Sequence, residues 1–145
     1  MKLLIQRVTQ ASVTVNGDIT GKIGKGLLIF IGVSKGDTEN QADYLAHKAA
    51  CLRIFEDDAG KMNRSIQDIG GEVLVVSQFT LAGDCTKGNR PGFDKAAHPD
   101  TARHLYEYFS TQLRHENLHV ENGIFQADMQ VSLINDGPIT FILEK

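Results

Sequence analysis

Apolar and polar residues alternate with period two over much of the chain, which is the pattern of half-buried β-strands. Asn16-Gly17 lies between two such runs and is typical of a two-residue hairpin turn. Residues 27–33 form a continuous apolar run, and the predicted strand at 72–78 contains a second one at 73–76, so we expect both strands to be buried on both faces. The predicted strands cover residues 3–8, 12–15, 19–23, 27–33, 72–78, 129–133 and 139–143.

Two segments instead show the spacing of amphipathic helices. The first is predicted from about Thr38 to Arg53, because Thr38 and Gln41 fit a capping box. The second is predicted from about Pro99 to His115, since proline suits the first turn of a helix. These elements predict one α+β (mixed α/β) domain over residues 1–145, with a curved, largely antiparallel, barrel-like sheet and two helices packed on it.

Composition narrows the class of protein. The chain has 145 residues, 41% of them hydrophobic, which suits a single domain with one core. Its net charge of −3 argues against a general nucleic-acid binder but leaves room for a local basic patch. Its longest apolar run is far shorter than the roughly 20 residues of a membrane span. We therefore expect a cytoplasmic protein without membrane contact, in which Cys51 and Cys85 are reduced thiols.

Familiar catalytic motifs are missing from the sequence. It has no nucleophile elbow, HExxH pair, Walker loop or dinucleotide-binding glycine pattern. The histidines do not show the spacing of converging metal ligands, so we expect no metal and no cofactor. Glu56, Asp57 and Asp58 precede Gly60 and favour a turn, with a magnesium site as the weaker alternative.

A polar cluster stands at the end of the predicted strand at 72–78. Ser77, Gln78, Phe79 and Thr80 stand where a sheet presents groups to a cleft. Ser77 or Thr80 could be a nucleophile or a positioning hydroxyl, and Gln78 could donate to an oxyanion. No histidine is near in sequence to activate either hydroxyl. The simpler alternative is that these side chains satisfy a turn.

A basic segment follows shortly after. Lys87, Arg90 and Lys95 lie, together with Thr86, in a loop rich in glycine and proline. A solvated loop is the simpler interpretation. Contacts with RNA phosphates are the alternative, which would let an acidic protein bind RNA.

Residues 135–140, NDGPIT, separate the last two predicted strands. An ordinary hairpin turn is the default interpretation, since only about 5–6% of X–Pro bonds in folded proteins are cis. However, glycine permits unusual backbone angles and proline fixes its own. The pair Gly137-Pro138 therefore also suits a turn whose carbonyl groups must point outward at a fixed angle.

Five segments together resemble D-aminoacyl-tRNA deacylases of the bacterial and eukaryotic type: IQRV, RIFEDDAGKMN, VLVVSQFTLA, KGNRPGF and MQVSLINDGPIT. The resemblance covers essentially the whole chain, and its most specific parts are residues 77–80 and 135–138. It implies a cofactor-free homodimer that hydrolyses the ester between a D-amino acid, or glycine mischarged on tRNA(Ala), and the 3′-terminal adenosine of tRNA.

The resemblance also implies roles for single residues. Gly137-Pro138 would be a cis peptide that Arg7 holds and that enters the partner's site as a chirality filter. Lys87, Arg90 and Lys95 would contact tRNA. The pocket for the aminoacyl end would be lined by Ser77, Gln78, Phe79, Thr80 and Met129.

Two views of the chemistry remain open within this family. Thr80 could attack the ester, or the 2′-hydroxyl of the tRNA could assist while backbone N–H groups hold the oxyanion. The lack of a nearby base favours the second view. The chain departs from the family at Gln126, where a small residue is expected, and at Gly83, Cys85 and Gly92. The rival hypotheses are an RNA-binding module without chemistry and an unrelated hydrolase with a distant histidine.

Overall fold

The computed structural model describes residues 1–145 and consists of a six-stranded mixed sheet, a small ribbon and two helices. The first part of the chain contains β1 (Lys2–Val15), β2 (Asp18–Ile23), β3 (Gly26–Gly32), α1 (Glu39–Cys51) and the ribbon strands β4 (Phe55–Glu56) and β5 (Met62–Arg64). The second part contains β6 (Glu72–Ser77), a 3₁₀ turn (Phe79–Ala82), α2 (Pro99–His115), β7 (His119–Asn122) and β8 (Gln130–Glu144).

Strand β1 organises the sheet because it pairs with three other strands. Its first half pairs with β3 and its second half with β2, while β8 follows its other edge, all antiparallel. Strands β6 and β7 continue the sheet beyond β3 in parallel. The sheet curls until β2 approaches β7: a Cβ on Gly21 would lie 2.8 Å from the carbonyl oxygen of Asn122. The prediction of an α+β domain with a largely antiparallel, barrel-like sheet is confirmed.

The hydrophobic core lies on both sides of the curled sheet. The larger cluster joins both helices to one face, and the smaller cluster fills the inside of the curl. Strand β3 contributes to both, with Leu27 and Ile29 towards the helices and Leu28 inside the curl. This confirms that β3 is buried on both faces, as its continuous apolar run predicts.

The helices begin close to the predicted residues. Helix α2 runs from Pro99 to His115 as predicted. Helix α1 begins after Thr38, whose backbone N–H donates to Gln41 Oε1 at 2.9 Å. It ends at Cys51, two residues before the predicted end, because Leu52 takes an extended conformation. The capping residue therefore predicted correctly where α1 begins, and the N-terminal proline predicted where α2 begins.

Some elements differ from the prediction. Residues 9–11 are part of β1, so the first two predicted strands are one. Strand β7 was not predicted, because Val120 is its only buried residue and no alternation marks it. The acidic turn at Asp57 is confirmed: its carboxylate accepts hydrogen bonds from the N–H groups of Ala59 and Lys61, both at 2.9 Å.

Candidate active site

A cavity of about 580 Å³ opens where the parallel strands β3 and β6 end. Carboxyl ends of parallel strands share one edge of a sheet, which is a common place for a ligand site. The wall is mostly apolar, and the polar side chains that line it are Ser77, Gln78 and Gln126. Of the predicted site residues, Ser77, Gln78, Phe79 and Met129 line the cavity. A volume of this size suits a small organic ligand.

The strand end is fixed by close backbone packing against β3. The N–H of Gln78 donates to the carbonyl of Ile31 at 2.8 Å, which extends the ladder one residue past β6. A Cβ on Gly32 would lie 2.7 Å from the Cβ of Leu81, so only glycine lets the 3₁₀ turn approach β3 this closely. This close packing at Gly32 places residues 77–80 at the edge of the cavity.

The two hydroxyl groups at this edge have no base beside them within the chain. Thr80 Oγ1 accepts a hydrogen bond from the Gln78 carboxamide, and the Ser77 hydroxyl makes no hydrogen bond. No histidine, carboxylate or lysine is hydrogen-bonded to either hydroxyl. Thr80 lies next to the cavity-lining residues but does not line the cavity itself. The chain therefore offers positioned polar groups here and no nucleophile–base pair.

An exposed aromatic pair stands beside these residues. Phe79 is 57% exposed, and its ring centroid lies 5.0 Å from that of Phe93. Phe93 lies within the basic segment, between Arg90 and Lys95, where the charges were the only signal taken from the sequence and the aromatic ring was missed. A large apolar side chain left open to solvent next to a polar cluster is characteristic of a contact surface.

The basic loop is closed at its base by Asp84. Its backbone exchanges hydrogen bonds with Gly92 at 2.8 and 2.9 Å. Its carboxylate accepts from the hydroxyl and the N–H of Thr86 and pairs with Lys95 at 3.4 Å, which together lower its pKa to about 2. Lys87 and Arg90 are exposed and form no ion pair within the chain. Two of the three predicted cations are thus free to meet a phosphate, and Lys95 is partly neutralised.

The motif at residues 135–140 lies inside β8 and is not a hairpin turn. Both flanks pair with the same strand, Val8 with Asn135 and Gln6 with Thr140, so Arg7 alone stands opposite four residues, 136–139. The Asn135 side chain closes this wide bulge, since its Oδ1 accepts from the N–H of Ile139 at 2.7 Å. The hairpin alternative is wrong, because the chain continues in the same direction on both sides of the motif.

The tip of the bulge is Gly137-Pro138, joined by a cis peptide bond and exposed to solvent. Gly137 has φ +142°, and a Cβ there would lie 2.7 Å from Cγ1 of Ile139, so both its conformation and its surroundings require glycine. Neither residue lines the cavity of its own chain.

Arg7 holds the bulge from beneath. Its side chain is buried; Nε donates to the carbonyl of Asp136 at 2.9 Å and Nη1 to the carbonyl of Ile54 at 2.8 Å. The Asp136 carboxylate lies 3.4 Å from the same Nε. One guanidinium therefore ties the motif to the segment that follows α1. The sequence implied the contact with the motif through the family resemblance, but not the role of Asn135 or of Ile54.

A second loop, residues 123–129, covers the other side of the cavity. The Tyr106 hydroxyl lies 3.0 Å from the carbonyl oxygen of Gly123 and 3.2 Å from that of Val75, and it accepts from the Asn122 amide at 3.1 Å. Burial raises the pKa of Tyr106 above its usual value. Phe125 packs 5.9 Å from the Tyr106 ring. The sequence gave no sign of this polar role of Tyr106.

Other polar clusters do not build a further centre. His47 pairs with Glu116 at 2.9 Å and His104 with Glu39 at 2.8 Å, both between exposed groups. No group of three or more histidine, cysteine, aspartate or glutamate side chains is arranged to hold a metal ion. Cys51 and Cys85 are free and exposed.

No helix combines the length and the apolar character needed to span a membrane.

The fold and the cavity define a small α+β protein with a ligand-sized site at its strand ends, lined by apolar residues together with one hydroxyl and two carboxamide side chains. Residues 4–144 match the family model of D-Tyr-tRNA(Tyr) deacylase. A D-aminoacyl-tRNA deacylase of Geotalea daltonii is 60% identical over 144 residues, 99% of this chain and 96% of that protein. Another of Pelobacter propionicus is 57% identical over 145 residues and the full length of both.

Two solved structures are similar. One, titled c-Myc DNA Unwinding Element Binding Protein, has a TM-score of 0.94 and 42% identity and covers 100% of this chain and 99% of its own. The other, described as a probable eukaryotic D-amino acid tRNA deacylase, has a TM-score of 0.82 and covers 98% and 97%; at 16% identity it shows the fold alone. The chain belongs to the D-Tyr-tRNA(Tyr) deacylase family, and it is a hydrolase of that family.

Proposed function

We propose that the protein hydrolyses the ester bond of D-aminoacyl-tRNA, and of glycyl-tRNA mischarged on tRNA(Ala), and leaves L-aminoacyl-tRNA intact. The observation that carries this proposal is the exposed Gly137-Pro138 bulge, together with a cavity whose lining does not include it. Backbone held this firmly is a good steric obstacle, because it cannot rotate away as a side chain can. A filter made of backbone also leaves the side chain of the substrate free to vary.

The filter of one chain acts in the cavity of another in this proposal, which makes the working unit a homodimer. Gly137 and Pro138 do not line the cavity of their own chain, so a second copy would have to supply them. Ile134, Phe141 and Ile142 on the same strand are exposed, and apolar area of this kind favours association. The working place would be the cytoplasm, where aminoacyl-tRNA is used.

The chemistry would need little from protein side chains. An aminoacyl ester is already activated, and the vicinal 2′-hydroxyl of the terminal ribose can assist its hydrolysis. The backbone N–H groups of Phe79 and Thr80, where the chain turns away from β6, are the candidate donors to the developing oxyanion. One such donor lowers an activation barrier by roughly 2.7–4 kcal/mol in a well-studied protease. The absence of a base beside Ser77 and Thr80 supports a mechanism in which the tRNA hydroxyl assists and the protein backbone stabilises the oxyanion.

The first test compares tRNA charged with D-Tyr, glycine or L-Tyr as substrates of the purified protein. We expect release of D-Tyr and glycine and retention of L-Tyr. Gly137→Ala should abolish D-Tyr release or let L-Tyr react, because its Cβ would collide with Ile139. Gly60→Ala is the matched control, since Gly60 also has positive φ (+75°) but has open space around it. Equal hydrolysis of both enantiomers by the parent protein would refute the chirality filter.

A second test separates the two chemical routes. If the tRNA hydroxyl assists, Thr80→Ala keeps most of its activity and a substrate with a 2′-deoxy terminal adenosine is not hydrolysed. If Thr80 is the nucleophile, Thr80→Ala loses several orders of magnitude, as the removal of a protein nucleophile does. In that case the deoxy substrate remains active and the RNA-assisted route is wrong.

Nucleic-acid binding without chemistry is the second candidate. The solved relative named for binding a DNA element and the free cations Lys87 and Arg90 favour it. The net charge of −3 argues against a broad nucleic-acid surface. Binding of uncharged tRNA with no release of any amino acid would support this candidate over the esterase. Under the esterase proposal, Lys87 and Arg90 contact the tRNA backbone, and their replacement raises KM more than it lowers kcat.

A further inference from the structure

Gln126 occupies a backbone conformation that glutamine rarely takes. It is the third residue of a turn closed by a hydrogen bond of 3.2 Å from the N–H of Ala127 to the carbonyl of Ile124, and its φ is +63°. The third position of a turn with positive φ normally favours glycine or asparagine. Unfavourable backbone conformations persist in proteins mainly where the surroundings enforce them, and they cluster at functional sites.

The protein itself makes no use of the Gln126 side chain. Its carboxamide forms no hydrogen bond with any other residue, although the side chain lines the cavity. The other carboxamide in the lining, that of Gln78, is already bonded to Thr80. Gln126 is therefore an unengaged polar group on a wall that is otherwise apolar in this region, between Phe125 and Ala127.

The turn that carries Gln126 is firmly held. The Phe125 ring packs against the Tyr106 ring, and its centroid lies 4.8 Å from the guanidinium carbon of Arg103. The N–H of Gly123 donates to the carbonyl of Val75 at 2.9 Å, which ties the start of the loop to β6. A side chain on so fixed a backbone can select a ligand, because its reach does not change when the loop fluctuates.

We propose that Gln126 is a specificity residue that reads the side chain of the bound amino acid. Its carboxamide forms a hydrogen bond with a hydroxyl or other polar group there, and so favours D-tyrosyl over D-phenylalanyl esters. This inference rests on the proposed function and assigns the ester to residues 77–80 and the amino-acid side chain to the loop at 123–129. When the substrate lacks the hydroxyl, water can bond to the exposed Gln126 carboxamide in its place. The preference for D-Tyr over D-Phe in kcat/KM should therefore stay near the value of one neutral hydrogen bond, about threefold to tenfold.

The test uses one tRNA charged either with D-Tyr or with D-Phe, which differ by a single hydroxyl. We expect the parent dimer to show a ratio of kcat/KM, D-Tyr over D-Phe, of about 3 to 10. Gln126→Gly should bring this ratio to about 1, while its thermal unfolding shows that the fold is intact. Gln126→Leu keeps similar bulk and should also lose the preference for D-Tyr, which separates hydrogen bonding from volume.

Asn117→Gly is the matched control, because Asn117 also has positive φ (+60°) and does not line the cavity. It should leave the ratio unchanged. A parent ratio near 1, or a ratio that survives in Gln126→Gly, would overturn the inference while the chiral deacylation itself stands. Equal loss on both substrates would also overturn it, since Gln126 would then contact a part that the two share. Failure of the parent protein to release D-Tyr at all would overturn the proposed function and this inference with it.

Discussion

Replacing Arg7 with lysine tests whether the guanidinium holds the bulge in β8. Arg7 donates from two different nitrogens to carbonyl groups on separate segments, those of Asp136 and Ile54. A lysine ammonium keeps the charge but is a single point that cannot stand at both positions. Losing one charge-assisted hydrogen bond at a buried site should cost about 1.5–3 kcal/mol of unfolding free energy. For a chain near 150 residues this lowers Tm by roughly 3–12 °C.

The assay combines thermal unfolding with the rates on D-Tyr and L-Tyr esters, measured well below Tm and at equal protein concentration. We expect Arg7→Lys to lose activity beyond what its unfolded fraction explains, because the tip of the bulge is displaced. Arg64→Lys is the matched control, since Arg64 pairs at 2.9 Å with Asp58, whose side chain is almost fully exposed. Such surface pairs contribute little, about 0–1 kcal/mol.

The reasoning is wrong if Arg7→Lys behaves like Arg64→Lys in stability and keeps the parent's rates on both enantiomers. Loss of stability with unchanged rates would leave Arg7 as a structural residue only. Loss of D-Tyr activity at unchanged stability would also contradict the estimate, because the lost hydrogen bond could not then contribute about 1.5–3 kcal/mol to the unfolding free energy.

Two further predictions concern the walls of the cavity. Gly32→Ala should destabilise the fold by about 1–3 kcal/mol and lower activity, because the added Cβ displaces the 3₁₀ turn. Gly24→Ala is the control: its added Cβ would have its nearest neighbour 3.6 Å away, so urea unfolding should show almost no change in stability. Tyr106→Phe should cost about 1–2 kcal/mol, since it removes the hydrogen-bond acceptor of the Asn122 amide. Burial raises the pKa of Tyr106 above its usual 10.0, so the unfolded chain loses this proton first as the pH rises. The contribution of Tyr106 to the unfolding free energy is therefore complete below pH 10 and declines above it. Tyr106→Phe should flatten that alkaline decline in stability, and an unchanged dependence of stability on pH would contradict the assignment.

The elements that the sequence predicted well are those that local pattern determines. The capping residue Thr38 and the proline at Pro99 mark the helix beginnings, and the apolar run of β3 indicates burial on both faces. Residues 77–80, at the end of β6, were predicted to face a cleft, and Ser77, Gln78 and Phe79 do line the cavity. Each of these signals acts within a few residues of the chain.

The features that the sequence could not predict depend on pairing between distant residues. The contact between Arg7 and Asp136 joins residues 129 apart in the chain, and only the register of β1 with β8 brings them together. The exposed pair of Phe79 and Phe93 also joins two separate segments. The closure of the bulge by Asn135 spans only four residues, but it depends on the bulge that the register of β1 with β8 creates. Local periodicity carries no information about register, so the fold had to be known before these partners could be named.

Two features of the bulge in β8 restrict its length. Strand pairing resumes at Thr140 opposite Gln6, and the side chains beyond it alternate between the core and the outer surface, as Leu143 and Ile142 do. One residue more or fewer between Asn135 and Thr140 would either break the hydrogen bond from Ile139 to Asn135 that closes the bulge or shift the register and send Ile142 inward and Leu143 outward. The basic loop between Asp84 and Gly92 is not followed by a paired strand and carries no such penalty. The chain can therefore change the identity of residues in the bulge far more easily than their number, whereas the loop that carries Lys87 and Arg90 can vary in both.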